Sequence, residues 1–333
     1  MWEVEKCDLC GDCLVRCQYT DYDRARTVEE IRLLIDGKPA EILQECITCC
    51  ACNEYCPTGA NPFDLINRLQ ENHHSVPIPD KMVKFVDSTE SMPSSIVKGE
   101  KEKPVLSMCF LERMMPKDTL DSKMFEGMTV VAGGDYFCFL GYVHICMDSP
   151  LERNARRFIN NLAAIQAEEI VFMHADCYAM LSKMASYKIE VPFKATHIVE
   201  YMRNYLRGHP EEITPLNLKI AYQRPCASRY SNEIEPVLDE LFELIGTERV
   251  EREYDRESAL CCGSMFERIY PERIKPVQEK NIQDAVKNRA KAMVFLCPFC
   301  NVTLGRPVTE AGMAPILITD LVRMSLGEIS SPF

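Results

Sequence analysis

Eight cysteines near the start of the chain form two runs with the same internal spacing, Cys-x2-Cys-x2-Cys-x3-Cys. The first run is Cys7, Cys10, Cys13 and Cys17, and the second is Cys46, Cys49, Cys52 and Cys56, followed by a proline. In such runs the first three thiolates ligate one four-iron cubane, and the fourth ligates the other cubane. We therefore predict two clusters, one held by Cys7, Cys10, Cys13 and Cys56 and the other by Cys17, Cys46, Cys49 and Cys52.

Other uses of these cysteines fit the spacing less well. Zinc sites typically pair two knuckles of two cysteines rather than two runs of four. A ninth cysteine, Cys50, interrupts the register of the second run. We interpret Cys50 as a small packed side chain and leave it out of the ligand set.

Helical patterns lie between and after the two runs. A helix is expected to begin at Thr27, with Glu30 completing a capping box and an apolar face that includes Ile31. A second helix is expected after Asn61, with Pro62 in its first turn. This arrangement resembles the α-helical ferredoxin domain of fumarate reductase iron–sulfur subunits.

A second cysteine constellation lies near the end of the chain. Its five members are Cys226, Cys261, Cys262, Cys297 and Cys300, with thirty-four residues in each of the two long intervals. Adjacent cysteines point in different directions on most backbones, so Cys261 and Cys262 suit different irons better than one tetrahedral ion. Gly263 follows them and permits a left-handed backbone beside the site.

The part of the chain after the first cysteine runs repeats itself. Val105–Cys109 matches the run that leads to Cys226 at an offset of 117 residues, and Cys177 matches Cys297 at an offset of 120. Pro192 matches Pro315 at an offset of 123. A slowly changing offset over about a hundred residues indicates a duplicated unit with small insertions.

Each copy alternates strand and helix patterns. One helical face runs from Ile234 to Ile245 and ends at Gly246, a residue suited to a helix C-terminus. The apolar runs 170–173 and 293–296 predict buried strands that lead into cysteines. Because ligands gather beyond the carboxyl ends of such strands, each copy is expected to be an α/β unit with a site at that edge.

These patterns predict an α+β protein of four segments. Residues 1–74 form the helical ferredoxin domain, and residues 75–103 form a linker rich in proline and charge. Residues 104–210 form the first α/β copy. Residues 211–333 form the second.

The spacing Cys-x34-Cys-Cys-Gly-x33-Cys-x2-Cys resembles the cysteine-rich CCG domain of heterodisulfide reductase catalytic subunits and of glycolate and lactate oxidase iron–sulfur subunits. The whole arrangement is similar to the D-type subunit of heterodisulfide reductase. The resemblance implies a noncubane four-iron cluster that cleaves a substrate disulfide. By this resemblance, the residues expected to hold the cluster and to act in catalysis are Cys226, Cys261, Cys262, Cys297 and Cys300.

The first copy departs from the CCG pattern. Cys109 and Cys177 align with the first and fourth cysteines of the motif, Met180 replaces the fifth, and Gly141-Tyr142 stands at the double-cysteine position. A five-thiolate cluster is therefore not expected in this copy. Its four cysteines, Cys109, Cys138, Cys146 and Cys177, remain candidates for a cubane or a zinc ion, with His144 or His174 as a further ligand.

Composition and missing motifs narrow the function. A net charge of −12 argues against nucleic-acid binding. The longest apolar stretch, 128–147, is interrupted by polar residues and glycines, so we expect no membrane span, and the charged first residues favour a cytoplasmic protein. No glycine-rich nucleotide-binding motif is present, so a flavin or nucleotide would sit on a partner.

Two functions remain open at this stage. The first is an oxidoreductase subunit that passes electrons through two cubanes to the CCG cluster and acts on a thiol or disulfide substrate. The alternative is a pure electron-transfer subunit beside a flavoprotein, a hydrogenase or a membrane quinone module.

Overall fold

The computed structural model describes residues 1–333, and the first ninety of these contain helices but no strand. The six helices are α1 Asp12–Val15, α2 Arg24–Ile35, α3 Ile42–Glu45, α4 Ala51–Tyr55, α5 Pro62–His73 and α6 Asp80–Glu90. The short helices α1, α3 and α4 lie within or beside the cysteine runs. The longer helices pack around them.

Helix α2 begins three residues earlier than the capping box predicts. The Asp23 carboxylate accepts a hydrogen bond from the Arg26 backbone N–H at 2.8 Å and so caps the helix. Glu30 instead accepts from the Ile42 backbone N–H at 2.9 Å and ties α2 to α3. Helix α5 begins at Pro62 as predicted.

The first α/β unit contains a five-stranded sheet, with strands β1 Ser95–Val97, β2 Val105–Cys109, β3 Thr129–Ala132, β4 Glu169–Phe172 and β5 Lys194–His197. The order is β1-β3-β2-β4-β5, and only the β1–β3 pair is antiparallel. The helices of this unit are α7 Ser149–Ala163, α8 Ala175–Leu181 and α9 Ile198–Gly208.

The second α/β unit contains a parallel sheet of four strands, β6 Leu218–Gln223, β7 Thr247–Arg249, β8 Ala292–Phe295 and β9 Ala314–Leu317. Their order, β7-β6-β8-β9, repeats that of the parallel strands of the first sheet. The helices are α10 Ile234–Leu244, α11 Pro271–Lys287, α12 Pro298–Glu310 and α13 Ile318–Ser325. The α+β fold class and the duplication are as predicted.

The offsets between the two copies differ from those predicted. Strands β4 and β8 begin at Glu169 and Ala292, 123 residues apart, whereas β5 and β9 begin at Lys194 and Ala314, 120 residues apart. The sequence match between the copies predicts these two offsets the other way round. The first copy therefore has three more residues than the second between these strands, and the residues matched with the CCG cysteines change accordingly.

The segment 75–103, predicted to be a linker, contains α6 and β1. Strand β1 pairs with β3, with Ile96 opposite Val131, and extends the first sheet by one edge strand. Both Ile96 and Val97 are more than half exposed, which explains the weak apolar pattern of this segment. No helix of the chain is both long and apolar enough to cross a membrane.

A buried carboxylate on α5 joins all three parts of the chain. Asp64 Oδ2 lies 3.0 Å from Lys183 Nζ of the first unit, and the Tyr230 hydroxyl of the second unit donates to Asp64 Oδ1 at 2.7 Å. The amino group of Met1 lies 2.8 Å from the same carboxylate. Burial alone would raise the pKa of Asp64, but the neighbouring charge of Lys183 holds that pKa below its usual range.

Replacing Lys183 with alanine should destabilise the fold because it removes one of the two cations beside a buried carboxylate. We expect the free energy of unfolding to fall by about 3 kcal/mol, measured by chemical denaturation. The control is Lys194→Ala, which breaks the exposed pair with Glu169 and should cost far less. Equal losses in the two variants would contradict the proposed importance of this contact.

Candidate metal centres

Tight turns bring the cysteines of the helical segment together. Gly11, Thr48 and Cys50 adopt left-handed conformations that fold the two runs back on themselves. Burial raises the pKa of Cys13 to about 12, with the nearby thiols of Cys56, Cys10 and Cys7 as the next contributors. The neighbours of Cys13 are thus the three cysteines with which the spacing groups it.

The second predicted set surrounds a cavity of about 390 Å³. Cys17, Cys46, Cys49 and Cys52 all line this cavity. Burial raises the pKa of Cys49 to about 12, with Cys17 and then Cys261 as the next contributors. Cys50 is buried beside them, and its Sγ lies 3.6 Å from the Thr48 carbonyl oxygen.

The five CCG cysteines of the second unit also come together. Cys226 Sγ lies 3.0 Å from Cys261 Sγ, and Cys300 Sγ lies 3.2 Å from Cys262 Sγ. Hydrogen bonding from Cys300 lowers the pKa of Cys297 to about 7. All five cysteines line one cavity of about 740 Å³.

Gly263 lets the backbone turn beside the paired cysteines. Its φ is +69°, and a Cβ at this position would lie 2.3 Å from Ile274 Cγ2. Its backbone N–H donates to Cys261 Sγ at 3.3 Å. The backbone N–H of Cys261 donates to the Tyr19 hydroxyl at 2.7 Å, which links the helical segment to the CCG loop.

The first unit holds a different set from the one predicted. Ligand atoms of Cys109, Cys138, His174 and Cys177 all lie within 4.8 Å of one another, and all four residues are buried. Cys146 lies elsewhere, in an apolar cluster with Ile47, Val76, Phe266 and Ile274. His174, with Nδ1 3.7 Å from Cys177 Sγ, therefore takes the place predicted for Cys146.

Backbone conformation explains this difference. His174 and Cys297 share φ −92° and ψ 122° and immediately precede α8 and α12. They are therefore equivalent, which makes Cys177 the equivalent of Cys300 rather than of Cys297. The predicted match of Met180 to the fifth cysteine is wrong by three residues.

The double-cysteine position is also displaced from the predicted Gly141-Tyr142. Phe139, at φ 63°, and Gly263, at φ 69°, follow Cys138 and Cys262 in the same left-handed turn. Phe137 thus occupies the position of Cys261. The nearly equal spacings from Cys138 to His174 and from Cys262 to Cys297 could have indicated this alignment from the sequence.

Residues from all three parts of the chain enclose the CCG cavity. Thr48 comes from the helical segment, and Phe137, His144 and Asp176 come from the first unit. His144 Nε2 and His174 Nε2 lie 3.7 and 3.5 Å from Asp176 Oδ2. Burial would lower the pKa of His144, but the Asp176 carboxylate raises it above its ordinary value.

These donor sets fit iron–sulfur clusters. Burial and neighbouring thiols raise the pKa of Cys46 and of Cys52, so these thiols stay protonated until a cation replaces their protons. Sulfur-rich donor sets favour iron–sulfur clusters or zinc over hard cations such as magnesium. Thirteen of the eighteen cysteines belong to the two ferredoxin sets and the CCG set.

Comparison with known proteins supports this chemistry. Residues 220–305 match the CCG family, described as a cysteine-rich domain. The chain is 25% identical over 195 residues to the D-type subunit of the dihydromethanophenazine:CoB–CoM heterodisulfide reductase of Methanosarcina barkeri, covering 56% of this chain and 47% of the relative. The corresponding subunit of Methanosarcina acetivorans is 26% identical over 215 residues, covering 58% and 52%. The chain therefore spans about half the length of these curated relatives.

A solved structure shares the overall fold. The crystal structure of a hypothetical protein from Helicobacter pylori aligns with a TM-score of 0.60 and 13% identity, covering 91% of this chain and 65% of that one. The cysteine content and the curated relatives together point to bound iron–sulfur clusters. The chain carries a CCG cysteine-rich domain in its second α/β unit and is similar, over just more than half its length, to the D-type subunit of heterodisulfide reductase.

Proposed function

We propose that this chain is an iron–sulfur oxidoreductase subunit in which two cubanes pass electrons to a CCG site that reduces a disulfide. The observation that supports this proposal most directly is the contact between the second ferredoxin set and the CCG set at Tyr19. The Tyr19 hydroxyl accepts a hydrogen bond from the Cys261 backbone N–H. Cys261 is also among the thiols that raise the pKa of Cys49. The two donor sets are therefore neighbours.

Each donor set has a specific role in this proposal. The ferredoxin sets would hold one cubane each, as the spacing predicts, and the CCG set would hold a noncubane four-iron cluster. When bound, these clusters supply the single electrons that disulfide reduction requires. Reduction of a disulfide consumes two electrons and two protons and yields two thiols.

The residues around the CCG cavity support this reaction. Phe85, Phe110 and Phe299 line the cavity and make much of its wall apolar. His144 places a ring nitrogen in the wall and is held there by Asp176, so it can carry a proton toward a newly formed thiolate. The cysteines, the imidazole and the apolar side chains thus line one cavity.

A partner is expected to deliver electrons to the first cubane. Three of its four cysteines, Cys7, Cys10 and Cys56, are partly exposed, whereas the second cubane set has two such cysteines, Cys17 and Cys49. No nucleotide-binding motif is present in the sequence, so a flavoprotein, a hydrogenase or a quinone-linked module is the expected source. The same exposure favours the second candidate function, a pure electron-transfer subunit whose CCG cluster passes electrons on.

The first unit is proposed to hold zinc. Three cysteines and one histidine form a common structural zinc set, and the four ligand atoms lie within 4.8 Å of one another. Asp176, 3.5 Å from His174 Nε2, would orient the imidazole so that Nδ1 faces the metal. The zinc would stabilise the wall of the CCG cavity without taking part in electron transfer.

Replacing Cys262 with alanine tests the proposed function. The wild-type protein, purified without oxygen, should contain about twelve iron atoms and give a thiol-dependent paramagnetic signal after oxidation. The Cys262→Ala variant should lose about four irons and that signal, because the CCG set would lack a ligand. The cubane signals should remain.

Cys50→Ala is the matched control, because Cys50 is a buried thiol outside the proposed ligand sets. It should keep the full iron content and the thiol-dependent signal. About eight irons in the wild-type protein would contradict the CCG cluster. A full iron content with no thiol response would favour the pure electron-transfer function.

Replacing Tyr19 with phenylalanine tests the contact between the ferredoxin and CCG sets. The variant keeps the ring but leaves the Cys261 backbone N–H without its acceptor. If that hydrogen bond contributes about 1 kcal/mol to placing the CCG loop, electron transfer to the CCG site should slow about fivefold. Rapid-mixing spectroscopy of the reduced protein would measure this rate.

Tyr55→Phe is the control for a general loosening of the interface. The Tyr55 hydroxyl donates to the Glu257 carbonyl oxygen at 2.9 Å across the same boundary, and this bond does not involve a cysteine. This variant should keep the wild-type rate. Equal slowing in the two variants would show that interface stability, rather than the Tyr19 contact, sets the rate.

Replacing His174 with alanine tests the zinc site. The wild-type protein should contain about one zinc ion by metal analysis, and His174→Ala should lose it because only three ligands remain. Cys146→Ala should keep the zinc, since Cys146 lies outside the set. About sixteen irons and no zinc in the wild-type protein would instead assign an iron–sulfur cluster to the first unit.

A further inference from the structure

The two sides of the CCG cavity differ in chemistry. The second unit presents the five cysteines, and the first unit presents Phe110 and Phe137 but no cysteine, with Phe299 of the second unit beside them. Phe110 packs edge-on against Phe137 with ring centroids 5.7 Å apart, and it packs against Phe299 in a tilted arrangement with centroids 5.8 Å apart. We call Phe110, Phe137 and Phe299 the aromatic wall.

Phe137 belongs to the aromatic wall because the two copies have diverged. Phe137 occupies the position in the first copy that Cys261 occupies in the second. The four candidate zinc ligands do not line the cavity, so any metal they hold lies behind the wall. A substrate in this cavity therefore meets sulfur ligands on one side only.

The cavity also lacks groups suited to an anionic substrate. No lysine or arginine lines it, and its one imidazole, that of His144, is already paired with Asp176. Burying an unpaired carboxylate, phosphate or sulfonate in this space would carry a large desolvation cost.

We propose that the cavity takes a thiol or disulfide with an uncharged, aromatic organic group. Its sulfur would meet the CCG cysteine set, and its ring would pack on the aromatic wall in an offset or edge-on arrangement. The other half of a disulfide would thus be held by packing rather than by a second metal. This inference rests on the proposed function for the role of the sulfur.

The test compares thiols of different polarity on the oxidised holoprotein. Benzyl mercaptan, 2-mercaptoethanol and 2-mercaptoethanesulfonate are titrated by calorimetry and by the thiol-dependent paramagnetic signal. Burial of the benzyl ring should make benzyl mercaptan bind roughly 10- to 100-fold more tightly than 2-mercaptoethanol. The sulfonate should bind most weakly.

Variants assign this preference to the aromatic wall. Phe137→Ala should reduce the preference to less than about threefold. Phe137→Leu keeps an apolar side chain and provides a second variant should alanine prevent folding; it should retain part of the preference. Phe193→Ala is the control, because Phe193 packs on Phe172 and does not line the cavity, and it should leave the preference unchanged.

Two outcomes would overturn the inference. These are equal or tighter binding of the sulfonate, and a benzyl preference that survives Phe137→Ala. Binding of toluene, which has the ring but no sulfur, separates failure of this inference from failure of the proposed function. Phe137-dependent toluene binding without any thiol-dependent signal would support the wall and contradict the disulfide chemistry. A thiol-dependent signal with no preference for the benzyl ring would support the disulfide chemistry and contradict the role of the aromatic wall.

Discussion

One buried and one partly buried carboxylate on the helical segment pair with cations on the α/β units, and this requirement fixes the relative positions of the candidate metal centres. Asp64 pairs with Lys183, and Glu54 pairs with Arg224, whose Nη1 lies 3.0 Å from both carboxylate oxygens. Arg229 also donates to Glu54. Glu54 lies between two cysteines of the second run, and Arg224 lies two residues before Cys226. Since an uncompensated buried charge is costly, the ferredoxin and CCG loops are held together by the same contacts that stabilise the fold.

The two α/β units show how a duplicated site can divide its roles. Both copies have a turn after the central strand and a left-handed residue after a cysteine, Phe139 after Cys138 and Gly263 after Cys262. In both, a helix begins just after a candidate ligand, His174 or Cys297. With Cys261 and Cys262 in one copy, the CCG cysteines line the shared cavity. With Phe137 at the corresponding position in the other, the candidate ligands Cys109, Cys138, His174 and Cys177 form a compact buried set and the ring lines the cavity instead. The backbone is retained while the chemistry changes.

The sequence predicts local features well and tertiary proximity less well. The spacing of the ferredoxin cysteines follows from the reach of thiolates around a cubane, and the turn that begins α5 follows from Pro62. The substitution of His174 for Cys146 was not predictable from cysteine counts, because equivalence depends on strand register, and the three extra residues before β5 shift the alignment. Asp23 caps α2 through a side-chain contact that competes with an equally plausible capping box.

The surroundings of the three donor sets differ along the proposed electron route. Every set has partly exposed cysteines: three of four in the first ferredoxin set, two of four in the second and three of five in the CCG set. The CCG set is distinguished by a mainly apolar cavity that residues from all three parts of the chain line. Exposed clusters suit exchange with a protein partner, whereas an apolar site strengthens electrostatic interactions and favours chemistry on a reactive sulfur. A subunit serving only outward transfer would gain nothing from such a cavity beside its last centre. The cavity therefore favours chemistry at the CCG site over relay to a second protein.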